Sequence, residues 1–420
     1  MERADEARKA RSAGSRNEMF WRLIWVAIIA VIVGGSMLFA GCGGGGGGGD
    51  TKADNSDQNQ NNNQNPPADQ NANPPADNND TTPPPDDSDT TSPPDIKTAG
   101  TIQLPKTGQT VSYAKGDDGD IQSGVLWPNP RFTDNGDNTI TDNLTGLMWT
   151  KDADIAKQAT NQPSLNYFSN TRPGGYGDWR LPSIYELESL VDVSRANPAL
   201  PSEHPFFNVR GANRYVYYWT STNVSDSQHR EAAAAVDFSD GAVYWLLKND
   251  YYYGYIWGVR ASDKKGIIQI PQVGNGNGIG VVQPTPRFVD NKDGTITDNL
   301  AGLMWTKDMK LTGGVNWKFG LEYVAAMNRD EKLNFGYKDW RVPNRKELFY
   351  MLDLTNDPHY GIADGSIFVN EAVQIWSSTT VISDINSAWK LSLLFGSRQI
   401  RLNSKNDSLS LWPVRTILAK

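Results

Sequence analysis

The chain has 420 residues, a formal net charge of −8 and a single cysteine. That length leaves room for two domains, the acidic balance gives no reason to expect a nucleic-acid partner, and one cysteine rules out an internal disulfide framework. Any folded part must therefore stand on its own packing.

Residues 1–22 carry six basic side chains against four acids, and an apolar run without a charge follows from 23 to 41. It ends at Leu38-Phe39-Ala40-Gly41-Cys42. A basic start, an apolar stretch and small residues before a break are the marks of an export signal. Cys42 at that break resembles the lipobox of bacterial lipoproteins, in which the thiol is acylated and becomes the new N-terminus. The alternative is an uncleaved single-pass inner-membrane anchor with the rest of the chain in the periplasm, for which 19 apolar residues just suffice. Residues 1–41 are thus expected to be an export segment, and the folded part to lie in the bacterial cell envelope, lipid-anchored at the outer membrane or cell surface.

Residues 42–96 read as a tether. Seven glycines follow Cys42, and residues 50–95 are almost wholly Asp, Asn, Gln, Pro, Thr, Ser and Ala. Such a segment cannot bury enough apolar surface to offset its ordering entropy. Its ten aspartates against one lysine account for the acidity of the chain. The remainder is nearly neutral, but residues 97–263 carry 14 basic and 19 acidic side chains, and residues 264–420 carry 19 and 15.

From there the sequence repeats. Residues 130–152, PRFTDNGDNTITDNLTGLMWTKD, return as 286–308, PRFVDNKDGTITDNLAGLMWTKD, with four of 23 positions changed. GYGDWRLPSIYEL (175–187) returns as GYKDWRVPNRKEL (336–348), WTST (219–222) as WSST (376–379), and WGVR (257–260) as WPVR (412–415). A unit of about 150 residues can bury a core by itself, so two domains are expected at 97–263 and 264–420, each able to fold separately. Within each, residues 131–142 and 287–298 read as a hairpin, turning through Asn135-Gly136-Asp137-Asn138 in copy one and with Asp293-Gly294 at the tip in copy two, and 147–149 continue its second strand. Ser183/Glu186 and Asn344/Glu347 sit at capping-box spacing before an apolar helix face. Residues 316–327 predict a further helix that copy one lacks, and the last hundred residues of each copy are strand-like. Strand, helix and then several strands imply an α+β fold.

These motifs closely resemble the Lcl C-terminal domain family, over roughly residues 100–420. The segments 104–109 and 116–120 are similar to the lead-in of its multi-copy members. The resemblance implies a C-type-lectin-like fold, related to the formylglycine-generating group, and a surface protein. The family's namesake, a collagen-like adhesin, binds sulfated glycans through this domain; the formylglycine chemistry needs a cysteine that the folded part lacks.

No enzyme and no cofactor is expected. The histidines His204, His229 and His359 have no counterparts between copies, so no shared histidine base or ligand exists, and Ser221 and Ser378 lack an activating partner. Asp134 and Asp137, with Asp290 and Asp293, could offer oxygens to calcium, but their spacing suits the hairpin turn better. Trp149, Trp179, Trp219, Trp305, Trp340 and Trp376 are read as core. Arg180, Arg260, Arg341 and Arg415 are read as paired structural cations. What differs between copies is a better guide to binding. Copy one has Tyr251, Tyr252, Tyr253 and Tyr255, of which not all can face inward on a strand; copy two has Arg398, Arg401 and Lys405. The expected role is binding of a carbohydrate or polyanionic glycan, adhesin-like, with a protein-interaction or envelope-assembly module as the alternative and an envelope protein as the alternative partner.

Overall fold

A computed structural model describes residues 100–419 apart from 157–158, 161–166, 212–216, 226–230, 248–252, 274–279, 353–361, 363–366 and 394–398. The export segment, Cys42 and the tether lie outside the described residues. The described part falls within one compact unit, Ser88–Lys420.

A short helix α1 (Asp118–Ile121) precedes copy one. Copy one then builds β1 (Phe132–Asp134), β2 (Thr139–Asp142), β3 (Leu147–Thr150), β4 (Ala159–Thr160), α2 (Ile184–Ser189), β5 (Tyr217–Ser225), β6 (Glu231–Asp237), β7 (Ala242–Leu247), β8 (Tyr253–Tyr255) and β9 (Val259–Ala261). Copy two repeats this with β10 (Phe288–Asp290), β11 (Thr295–Asp298), β12 (Leu303–Thr306), α3 (Trp317–Met327), α4 (Arg345–Tyr350), β13 (Gln374–Thr380), β14 (Ser387–Ser392), β15 (Gln399–Ser404) and β16 (Val414–Thr416). Each copy has a four-stranded sheet closed by its own last strand, in the orders β1-β2-β3-β9 and β10-β11-β12-β16. Each also has a second sheet, β4-β8-β5-β6-β7 or β13-β14-β15.

The chain is thus two tandem domains, predominantly β. The helices expected for an α+β fold are present but short; α2 and α4 have six residues each. Their capping boxes form as the spacing requires: Ser183 accepts from the Glu186 amide and Asn344 from that of Glu347, while each glutamate accepts from its cap's own amide. The longer α3 starts where Asn316 caps it. In copy one, residues 161–166 are not described, and Tyr167–Ser169 form only a 3-10 turn.

One expectation changes locally. Leu147–Thr150 does not continue β2 but folds back as a third strand, Thr139 opposite Thr150. Asp142 accepts from the Leu144 amide at 3.0 Å, and Gly146 takes φ +71°, a left-handed value that glycine adopts freely.

At larger scale the two copies pack together. The copies share one apolar core, in which Trp149, Trp257 and Tyr185 of copy one join Trp305, Trp412 and Phe349 of copy two. Helices α2 and α4 meet there: Tyr185 stacks on Tyr350 at 5.0 Å and meets Phe349 edge-on at 5.5 Å. The lead-in of copy one also crosses over. Thr101 and Ile102 donate to the Asn299 and Leu300 carbonyls of copy two, while the matching Leu144 carbonyl of copy one accepts from Ile267 and Ile268 of the linker. Residues 100–102 therefore do for copy two what the linker does for copy one. The two repeats are a reciprocally closed pair.

Candidate functional site

The repeated motifs pack and pair within the fold, most of them alike in the two copies. Trp179 and Trp340 are buried, their indole N–H groups donating to the Pro173 and Asn334 carbonyls at 2.9 and 2.8 Å. The adjacent arginines grip the capping-box glutamates through two nitrogens each, Arg180 on Glu186 at 2.7 and 2.6 Å and Arg341 on Glu347 at 2.5 Å twice. Asp178 and Asp339 reach the terminal arginines: Arg260 donates to Asp178 at 2.7 Å and lies 4.0 Å over Tyr176, and Arg415 donates to Asp339 at 2.6 Å and lies 4.1 Å over Tyr337. Each domain's first half is thereby clasped to its last strand. Trp149 and Trp305 pack against Trp257 and Trp412. Trp376 is buried and donates to the Val315 carbonyl. Trp219 is buried against Gly254, where a Cβ would stand 2.1 Å from the indole nitrogen.

The hairpin carboxylates serve their own turns. Asp134 accepts from the Gly136 amide and from Lys151, and Asp290 from the Lys292 amide and Lys307. These hydrogen bonds hold both carboxyls below the usual range. Asp137 and Asp293 accept from Thr139 and Thr295. The Ser221 and Ser378 hydroxyls donate to the Pro182 and Pro343 carbonyls.

The residues that differ between copies are dispersed. Tyr251, Tyr252 and Arg398 lie outside the described residues, and of Tyr253 only the backbone strand is described. Tyr255 lies beside Tyr218, with ring centroids 5.6 Å apart. Lys405 turns onto the copy-one lead-in: its ammonium lies 4.0 Å over Trp317 and 5.1 Å over Tyr113 and donates to Thr380. Burial brings that amine down to about 8. Arg401 stays exposed and reaches the other copy, its guanidinium 5.7 Å over the Tyr244 ring. Strands β15 and β7, each at the edge of its sheet, lie side by side there. Lys390 stands directly opposite Arg401 in the β14–β15 ladder and donates to Gln374 and Asn403. Burial, with Arg401 adding to it, lowers the Lys390 amine.

Sequence reasoning missed two buried arginines and a buried cluster. Arg131 and Arg287, from the repeated Pro-Arg-Phe, pair with Asp142 and Asp298 and donate to the Ser189 and Tyr350 carbonyls at the ends of α2 and α4. Their signal was in the sequence, since an Arg and an Asp recur together at a fixed separation. The cluster is Glu188, Arg345 and Lys346 at the contact between copies, and nothing in the repeat pattern announced it.

The profile of the Lcl C-terminal domain family matches residues 138–260 and 294–415. No curated protein matches the chain. Among the described residues, no helix is long and apolar enough to cross a membrane.

Proposed function

Because the chain belongs to the Lcl C-terminal domain family, present in two tandem copies, we propose that it is a non-catalytic, lectin-like envelope protein that binds polyanionic glycan across the seam between its copies. Acylation at Cys42 anchors it in the envelope, and the 42–96 tether holds the paired domains off the lipid. The observation that carries this reading is Arg401 lying exposed over Tyr244 of the other copy with Lys390 opposite it. Like charges directly opposite in a ladder repel. A sulfate or carboxylate between them relieves that repulsion. The seam uses one residue set from each copy, which gives the duplication a purpose that two separate sites would not.

The test is retention of residues 88–420 on immobilised heparin. Arg401→Gln with Lys390→Gln should elute at clearly lower salt than the wild type, and the wild type should lose retention as salt screens the contact within about 8 Å at physiological ionic strength. Equal elution of both proteins overturns the reading.

A further inference from the structure

The turn after the third strand is built identically in both copies. Asp152 accepts from the Asp154 amide and from Asn208, and Asp308 accepts from the Lys310 amide and from Asn370. What the turn presents is not the same. Copy two places Lys310 in solvent, whereas copy one buries Asp154, leaving it 7% exposed. Three more positions change with it. Counting from Asn208 and Asn370, from Trp219 and Trp376, and from Trp257 and Trp412, copy one has Arg210, Tyr218 and Tyr255 where copy two has Ala372, Ile375 and Ser410.

In copy one these four residues converge. Arg210 donates to Asp154 through its side chain, its backbone amide donates to the Tyr218 hydroxyl at 2.8 Å, and its guanidinium lies 5.7 Å over Tyr255. Yet the ion pair is incomplete. Arg180 and Arg341 each spread two nitrogens over both oxygens of a glutamate. Arg210 instead places Nε and Nη2 on one oxygen, Oδ2, at 3.3 and 3.0 Å. Among the described residues, Oδ1 of Asp154 is buried with no hydrogen-bond partner. A pair that served packing alone would gain by the two-oxygen geometry, and an unmet buried carboxylate oxygen costs free energy.

We propose that Asp154, Arg210 and Tyr255 form a second binding site, confined to copy one, for a neutral polyhydroxyl ligand such as a saccharide. A ligand hydroxyl donates to Oδ1 of Asp154, Arg210 donates to a neighbouring ligand oxygen, and the Tyr255 ring covers an apolar sugar face. The carboxylate disfavours an anionic ligand, which separates this site from the cationic seam. Arg210, its side chain about half exposed, turns outward to admit the ligand.

The test is saturation-transfer NMR on residues 88–420 with glucose, galactose, mannose and N-acetylglucosamine, each alone. At least one sugar should give a transfer signal in the wild type, and both Asp154→Ala and Arg210→Gln should weaken its binding at least tenfold. Arg210→Gln changes a half-exposed side chain, so it reports even if the buried Asp154 variant does not fold. Heparin retention should be unchanged in either variant, and sugar binding unchanged in the Arg401→Gln, Lys390→Gln protein. No signal from any of the four sugars, or undiminished binding by folded Arg210→Gln, overturns the proposal and leaves the seam reading untouched.

Discussion

The carboxylate of Glu188 in copy one meets the guanidinium of Arg345 in copy two at 2.5 Å, with neither side chain reached by solvent. Lys346 shares that carboxylate at 3.2 Å, also fully buried, so two cations rest on one anion. Arg345 additionally donates to the Gly241 carbonyl and lies 4.8 Å over Trp389. By the repeat alignment, Arg345 and Lys346 stand where copy one has Ile184 and Tyr185, and Glu188 stands where copy two has Phe349. One half of the contact between α2 and α4 is therefore ionic and the other half aromatic. Two copies of domain one would bury Glu188 with no cation, and two of domain two would bury Arg345 and Lys346 with no anion. Ion pairs of this kind add little net stability; the expected consequence of this one is the choice of partner.

Glu188→Leu should accordingly cost about 3–5 kcal/mol, because it strands two buried cations. Lys346→Met should be neutral or stabilising near pH 7. Burial lowers the Lys346 amine to about 8, below its unfolded value of about 10.5. Above pH 8 the folded state releases this proton while the unfolded chain keeps it, so wild-type stability gains from this group as pH rises. Denaturant titrations at pH 7 and pH 9.5 check this. Relative to wild type, Lys346→Met should lose its advantage at the higher pH, and a constant difference would contradict the assignment.

The shared core makes a further prediction about fragments. Residues 97–263 and 264–420 expressed separately should each expose apolar surface and melt without cooperativity. Mixed, they should form a one-to-one complex with a single transition, and neither should homodimerise. Size-exclusion chromatography with light scattering reads this directly. Independent, cooperative melting of both fragments would show that the copies merely touch.

Much of this architecture was legible in the sequence because it rests on local chemistry. Hairpin turns, the two capping boxes and the helix over 316–327 follow from residues a few positions apart. The buried tryptophans followed from their recurrence at element junctions. The joining of the copies was not legible, because Glu188, Arg345 and Lys346 sit on a helical face whose alternatives, Ile184 and Tyr185, are ordinary core residues. A charged side chain on a short helix reads as solvated until its partner on another domain is known. The same holds for Asp154, which follows a repeated turn and looks like one more turn carboxylate. Lys405, grouped by sequence with Arg401, is occupied by Trp317 and Tyr113 because the lead-in folds onto copy two.

That lead-in docks through a titratable group. Asp118 is fully buried, accepts from the Thr107 and Thr379 hydroxyls at 2.7 Å each, and is raised to about 6, mainly by burial. A raised folded-state value means that the folded form binds the proton more tightly than the unfolded chain, whose value is about 3.9. Its contribution is therefore fully present below pH 4 and lost as pH rises through 6. Asp118→Asn should remove this dependence and gain up to about 3 kcal/mol over wild type at pH 7.5, falling to about 1 kcal/mol at pH 4.5. Melting curves at the two pH values decide it, and an equal effect at both would mean that Asp118 is charged throughout.

Finally, the two ion pairs of each repeated Asp-Trp-Arg should differ in strength. Asp178, with its side chain 60% exposed, pairs with Arg260 near the surface, so water and salt compete for both partners. A double-mutant cycle on Asp178→Asn and Arg260→Gln should give a coupling below about 1 kcal/mol that shrinks further at 1 M salt. Glu186, by contrast, is wholly buried, grips Arg180 through both oxygens and accepts from the Ser183 amide that starts α2. Glu186→Gln leaves Arg180 without its charge partner and weakens the capping box, so it should cost about 2–4 kcal/mol and respond little to salt. The equivalent change Glu347→Gln should cost at least as much, since Arg341 is itself buried. If the Asp178 and Glu186 pairs proved equally strong and equally salt-sensitive in denaturant titrations, burial would not be what separates the clasp from the cap.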